Sequence, residues 1–152
     1  MRADVLNSNS GSYAGVADGV VKCLKISASY ADFTDGGGAA GTIEDSSVIP
    51  KGSICLGTYV DVISPFTGDT SAVIAIGDGS DVDYFTTAAN ANVFDAGDEA
   101  MADNLDQSGA KLILADKSVT ITVTANSDWG AVDATANACV YIWYIEVPKF
   151  VG

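Results

Sequence analysis

The clearest strand pattern in this chain lies between positions 54 and 63, where the sequence reads Ile54-Cys55-Leu56-Gly57-Thr58-Tyr59-Val60-Asp61-Val62-Ile63. Successive side chains of a β-strand point to opposite faces. The alternation places the even-numbered residues, Ile54 to Val62, on one face and the odd-numbered residues on the other. One row is then expected to pack on a core, and the other to face solvent or a second layer.

Further strand patterns follow on both sides of this stretch, separated by turns rich in Gly, Asp, Asn and Ser. We expect strands over residues 20–29, 42–49, 70–76, 119–124 and 138–147, and weaker ones over 82–85 and 111–114. The glycine-rich residues 35–41 are expected to form a flexible loop. A short helix over 96–105 is also considered, although no capping pattern supports it.

The composition is typical of one folded domain. The chain has 152 residues, of which 48% are hydrophobic and 18% charged, and this length is enough to bury a core. With almost no helical periodicity, the pattern predicts an all-β protein, a single-domain antiparallel sandwich or barrel. Residues 1–19 are polar and small, and we interpret them as an N-terminal arm that either frays or orders against a partner. The sandwich domain is assigned to residues 20–152.

The charge disfavours two classes of partner. The formal net charge is −13, which repels both nucleic-acid phosphates and anionic membrane surfaces. Residues 64–110 contain nine acidic and no basic residues, the pattern of a solvated, loop-rich surface. The longest apolar run, residues 138–145, is too short to span a bilayer. No secretion signal follows Met1, and synthesis in a reducing cytoplasm is expected.

The residues required by common catalytic sites are missing from the sequence. The chain has no histidine, which removes histidine-dependent triads, and it has no GxSxG or phosphate-binding glycine motif. Its three cysteines are widely separated and form no CxxC pair, so a zinc or catalytic-thiol site is unsupported. We therefore predict a protein without enzymatic activity and without a cofactor.

One acidic loop is a weak candidate for a calcium site. Asp78, Asp81 and Asp83 lie close together in a glycine-containing segment, and calcium takes six to eight oxygen ligands. The spacing differs from that of the helix–loop–helix calcium motif. Asp-Gly and Ser-Asp are also ordinary turn sequences, so a hairpin turn without metal is the favoured interpretation.

The last strand pattern is apolar on both faces, which indicates a strand that is covered on both sides. Its large side chains, Tyr141, Trp143, Tyr144 and Ile145, are interpreted as core or subunit-interface residues. Together with Tyr59 and Trp129, the same aromatic residues could instead line a sugar-binding face. In that alternative the turn around Trp129 is expected to be exposed.

Several short motifs between residues 48 and 147 resemble those of capsid decoration (cement) proteins of tailed bacteriophages. They are Val48-Ile49-Pro50-Lys51-Gly52-Ser53-Ile54, Phe66 in a turn, Ala72-Val73-Ile74-Ala75-Ile76-Gly77-Asp78-Gly79, Asp83-Tyr84-Phe85, Val119-Thr120-Ile121-Thr122-Val123-Thr124 and Val140-Tyr141-Ile142-Trp143-Tyr144. The resemblance implies a jelly-roll-like β-sandwich, a homotrimer, and a position on the outer surface of the phage head. It implies the major capsid protein as partner, and it transfers no catalytic residues.

Three functions remain open at this point. The first is a non-enzymatic virion protein that bridges capsid subunits and stabilises the shell. The second is a carbohydrate-binding or host-attachment module on a head fibre or tail appendage. The third is a tail-tube or connector subunit, which is also small and rich in β-strands.

Overall fold

The computed structural model describes residues 21–86, 92–95, 97–102 and 110–146. The strands are β1 Val21–Ser29, β2 Thr34–Asp35, β3 Ala40–Ile49, β4 Ile54–Ser64, β5 Ala72–Gly77, β6 Gly97–Ala102, β7 Lys111–Leu112, β8 Lys117–Ala125 and β9 Asn137–Ile145. Two short 3-10 turns, Tyr30–Asp32 and Trp129–Ala131, follow β1 and β8. Among these residues no helix is long and apolar enough to cross a bilayer. The predicted arm, residues 1–19, lies outside the described residues.

The strands form two antiparallel sheets, which confirms the predicted all-β sandwich. The first sheet has the order β1-β9-β4-β6, with β7 also paired to β4, and the second has the order β2-β3-β8-β5. The last described strand lies beside the first, and the chain crosses between the sheets at every step except β2 to β3 and β6 to β7. This interleaving is the topology of a jelly roll, which stacks two sheets over one core.

The core lies between the two sheets and is built by the inward rows of the strands. Val119, Ile121 and Val123 of β8 are fully buried, and so are Val140 and Ile142 of β9. The threonines between the β8 residues point outwards, as strict alternation requires. The predicted two-row pattern of this strand is therefore confirmed.

A β-bulge changes the predicted alternation in β4. Cys55 pairs with Tyr144 and Gly57 pairs with Trp143, so Leu56 is an extra residue opposite β9. A bulge inserts one residue and reverses the phase of the side chains that follow. Cys55 is consequently buried before the bulge, whereas Thr58 and Val60 are buried after it. The expectation of one uninterrupted alternation from 54 to 63 was wrong.

Other weakly patterned segments also differ from the expectations. Residues 82–85 form turns and no strand. Of the residues considered as a helix, 96–105, residues 97–102 form β6 against β4, and 96 and 103–105 lie outside the described residues. The predicted strand over 111–114 is only the two-residue β7. The loop expected over 35–41 is shorter, because Asp35 and Gly41 pair with each other in β2 and β3.

Trp129 lies in the core of the sandwich and is 1% exposed. Its ring stacks on Tyr30 with centroids 5.2 Å apart and lies 4.9 Å from the ring of Phe33. The Trp129 backbone N–H donates a hydrogen bond to the Gly38 carbonyl at 2.8 Å. Ser127, Asp128 and Gly130 of this turn are exposed, as expected. The expectation of an exposed Trp129 ring was wrong, because the 3-10 turn folds the indole into the core.

Candidate functional site

The outer face of the first sheet is the most distinctive surface that the structure describes. Register places the outward residues of β1, β9 and β4 in rows across the sheet. We call this surface the aromatic face, and it comprises Val21, Cys23 and Lys25 of β1, Cys139, Tyr141, Trp143 and Ile145 of β9, and Ile54, Gly57, Tyr59 and Asp61 of β4.

Three aromatic rings form the centre of this face. Tyr141 and Trp143 are two residues apart on β9, and their rings stack with centroids 6.0 Å apart and planes inclined by 15°. Tyr59 of β4 lies opposite Tyr141, with ring centroids 5.8 Å apart, and 6.3 Å from the ring of Trp143. All three side chains are half-buried. The three rings therefore form one continuous apolar platform on the outside of the sandwich.

An aliphatic row extends the platform to one end of the sheet. Val21 pairs with Ile145, Ile145 with Ile54, and Ile54 with Leu112 of β7. Paired residues of antiparallel strands lie on the same face, so these four side chains form one band. Val21 is 51% exposed and Leu112 is 55% exposed. Such a contiguous exposed apolar surface is typical of a binding interface.

The charged groups of the aromatic face are few. The Lys25 ammonium lies 5.5 Å from the centroid of the Tyr141 ring, a cation–π distance. The pKa of Lys25 is raised, chiefly by its interaction with the Tyr141 side chain and then by Cys139. Asp61 lies in the next row, opposite Cys139. Lys25 therefore stays protonated and keeps a cation beside the aromatic platform.

The outer face of the second sheet has a different chemistry. Its outward residues are Thr120, Thr122 and Thr124 of β8, with Thr42 and Glu44 of β3 on one side and Val73 and Ala75 of β5 on the other. We call this surface the threonine face. Hydroxyl groups on a sheet surface are readily solvated. The two outer faces of the described sandwich thus differ in their chemistry.

The four residues predicted as interface or core lie on two different sides of the first sheet. Tyr141, Trp143 and Ile145 lie on the aromatic face, whereas Tyr144 pairs with buried Cys55 and packs against the core. Of the side chains considered for a sugar-binding face, Trp129 is in the core. Tyr59, Tyr141 and Trp143 are brought together.

Sequence reasoning missed the contribution of β1 to this surface. Cys23 pairs with Trp143 and Lys25 with Tyr141, but the pattern over 20–29 gave no indication of the neighbouring strand. The first strand of a jelly roll pairs with the last. Placing β1 beside the aromatic strand on that rule would have identified these residues.

The acidic loop considered for calcium is a hydrogen-bonded turn. The Asp78 side chain is 2% exposed, and its carboxylate accepts hydrogen bonds from the backbone N–H groups of Ser80 at 2.9 Å and Asp81 at 2.8 Å. The same carboxylate forms an ion pair with Lys117. Burial raises the pKa of Asp78, but the hydrogen bonds from Lys117, Asp81 and Ser80 outweigh it and hold the pKa below its ordinary value.

The two lysines near this turn also contact one aromatic ring. The ammonium of Lys111 lies 3.4 Å and that of Lys117 4.4 Å from the centroid of the Tyr84 ring. The Asp78 carboxylate is already paired with one of these two cations, the Lys117 ammonium. Across the described parts of the chain, no three acidic, histidine or cysteine side chains come together as a metal-binding group.

No protein-family model matches the chain, and no curated protein matches it. Among solved structures, a chain in the acidic stable capsid structure of Helicobacter pylori bacteriophage KHP30 is similar to it. The TM-score is 0.52 and the sequence identity 15%, over 83% of this chain and 87% of that chain. The likeness is one of fold. It spans most of both chains.

Proposed function

We propose that this chain is a non-enzymatic structural protein of a tailed-phage virion. More specifically, we propose a capsid decoration protein that binds the outer head surface and bridges major capsid subunits. The observation that carries the proposal is the similarity of fold to a chain in a phage capsid structure, which covers 83% of this chain. The motifs within residues 48–147 support the same assignment.

The surface chemistry supports a role in assembly. A chain with net charge −13 repels nucleic acid, so we propose protein partners, namely the major capsid protein and further copies in a homotrimer. The apolar platform of Tyr141 and Trp143 offers a contact for a protein partner, since aromatic residues are enriched in interfaces. The protein would be made in the host cytoplasm and would act on the assembled head.

A binding and heating experiment tests this function. Purified protein is mixed with capsids that lack it, and bound protein is measured after sedimentation of the capsids. We expect saturable binding and a higher temperature of genome release for decorated capsids. Capsids that bind none of the protein and release their genome at the same temperature would refute the proposal.

The aromatic platform also favours a second candidate function, a carbohydrate-binding or host-attachment module. Tyr59, Tyr141 and Trp143 present rings on the outside of the sandwich, and such rings can stack on the apolar faces of sugars. A glycan array probed with the wild-type chain and with Trp143→Ala tests this candidate. Binding that is lost in the variant would support it, and an array without hits would exclude it.

A further inference from the structure

We infer that the aromatic face is the contact surface between copies of this chain, so that a second copy covers Tyr141 and Trp143. The inference rests on the self-association included in the proposed function and names the surface responsible. The threonine face and the loops would then remain available for the capsid.

The apolar chemistry of the face favours a protein over a sugar as occupant. The aliphatic band from Val21 to Leu112 continues directly from the rings of Trp143 and Tyr141. Aliphatic side chains offer no flat ring for stacking, and hydroxyl-rich sugars need several polar partners. An apolar centre with few charges is the composition of the core of a protein–protein interface.

The distribution of charge favours a second copy as that protein. The charged residues of the aromatic face, as defined above, are Lys25 and Asp61. These charges cancel, whereas the whole chain has a net charge of −13. Two molecules of such a charge repel each other over most of their surface. The aromatic face is where they can meet with little repulsion.

The boundary of this neutral surface is also defined. On β4 the surface ends at Asp61, which pairs in register with position 98 of β6. The neutral surface is thus formed by β1, β9 and β4 up to Asp61. We expect contacts between copies to centre on β9, which lies between the other two strands.

The size of the face fits a weak contact that depends on protein concentration. The three strands β1, β9 and β4, about 4.8 Å apart and about 30 Å long, cover about 430 Å² in flat projection. This is roughly half of the about 800 Å² that each partner contributes to a standard interface.

The experiment measures the mass of the full chain by sedimentation equilibrium over a range of concentrations. We expect the wild type to self-associate, and Trp143→Glu to weaken association at least tenfold because it places a carboxylate in the apolar contact. The matched control is Thr122→Glu on the threonine face, which should associate like the wild type. A wild type that stays monomeric, or a Trp143→Glu protein that associates normally, would overturn the inference.

Thiol labelling tests the same contact in a chain that keeps Trp143. Its result therefore does not depend on whether the Trp143→Glu variant folds. Cys23 is exposed in the single chain and lies opposite Trp143. In a Cys139→Ser background, we expect maleimide labelling of Cys23 to slow at least tenfold as the concentration of protein rises into the associating range. A labelling rate that does not depend on concentration would contradict a covered face.

If the capsid or a glycan covers the aromatic face instead of a second copy, these experiments give different results. A monomer that binds capsids, and whose binding is lost in Trp143→Glu, would assign the face to the capsid and leave the proposed function intact. A monomer that binds glycans through the same residue would overturn both proposals. An associating wild type with the mass of a dimer would support the contact surface but contradict the trimer.

Discussion

The indole of Trp129 packs directly on the backbone of Gly41. A Cβ atom at position 41 would lie 2.3 Å from Cε2 of Trp129, far inside van der Waals contact. Gly41 belongs to β3 and pairs with Val123 of β8. The absence of a side chain at this position therefore makes room for the largest buried residue of the core.

This contact predicts that Gly41→Ala destabilises the fold. The added methyl group has to displace a buried indole held among Tyr30, Phe33 and Phe66, and overpacking of this kind costs about 1–3 kcal/mol. Chemical denaturation followed by tryptophan fluorescence measures the change. Gly38→Ala is the matched control, since nothing lies within 4 Å of a Cβ there. Equal stabilities of the two variants would contradict the packing described.

Asp69 predicts a specific dependence of stability on pH. Its carboxylate accepts hydrogen bonds from the Ser127 N–H at 2.6 Å, the Ser127 hydroxyl and the Thr70 and Asp128 N–H groups. Hydrogen bonds to Ser127 are the main cause that lowers the pKa of Asp69 to about 2. Since the unfolded value is about 3.9, the stabilisation is complete above about pH 4 and is lost as the pH falls through about 2.

The Asp69→Asn variant tests this dependence. Asparagine cannot ionise, so the difference in melting temperature between wild type and variant should be largest above pH 4 and should shrink towards pH 2. Ser127→Ala removes one of the bonds and should show the same trend with smaller amplitude. A difference that is constant from pH 5 to pH 2 would refute the assignment.

Asp78 is predicted to stabilise its turn through two separable interactions. Asp78→Ala leaves the N–H groups of Ser80 and Asp81 without their acceptor and Lys117 without its ion pair, so we expect a loss of about 1–3 kcal/mol. Asp78→Asn keeps an amide oxygen for the two N–H groups and should lose less. Denaturant titration of both variants measures this order, and equal losses would contradict it.

The same residue allows the calcium candidate to be tested. Because Lys117 already pairs with the Asp78 carboxylate, we expect millimolar calcium to leave the melting temperature unchanged. A calcium-dependent rise that disappears in Asp78→Asn would instead establish a calcium site in this loop.

Cys55 is predicted to be chemically inert in the folded protein. It is fully buried, and burial raises the pKa of its thiol, which lowers the fraction of reactive thiolate. In a Cys23→Ser/Cys139→Ser variant, labelling of Cys55 should therefore proceed only as fast as the protein opens. Rapid stoichiometric labelling under native conditions would show that the β4 bulge is not packed as described.

Alternating segments with β-branched residues could be predicted well from the sequence. The two rows of β8 and the two apolar faces of β9 follow directly from the period of two. The bulge at Leu56 could not be predicted, because it depends on the register with β9 and leaves the composition of β4 unchanged. The β1 side of the aromatic face was missed for the same reason, since pairing between distant strands is a property of the fold.

The segment over 97–102 shows where local preference is overruled. Gly97-Asp98-Glu99-Ala100-Met101-Ala102 contains no β-branched or aromatic residue, yet it pairs with β4 as β6. The hydrogen-bonding edge of β4 supplies partners that override weak propensity. Trp129 was misjudged in a similar way, since a polar turn sequence does not reveal that the core has space beside Gly41.

The central claim, a decoration protein on a phage head, is tested most directly by cryo-electron microscopy of phage particles whose genome encodes this chain. The account predicts density for a two-sheet sandwich on the outer head surface where capsid subunits meet, in groups of three copies. Particles that lack the chain, or that contain it only in the tail, would contradict the account.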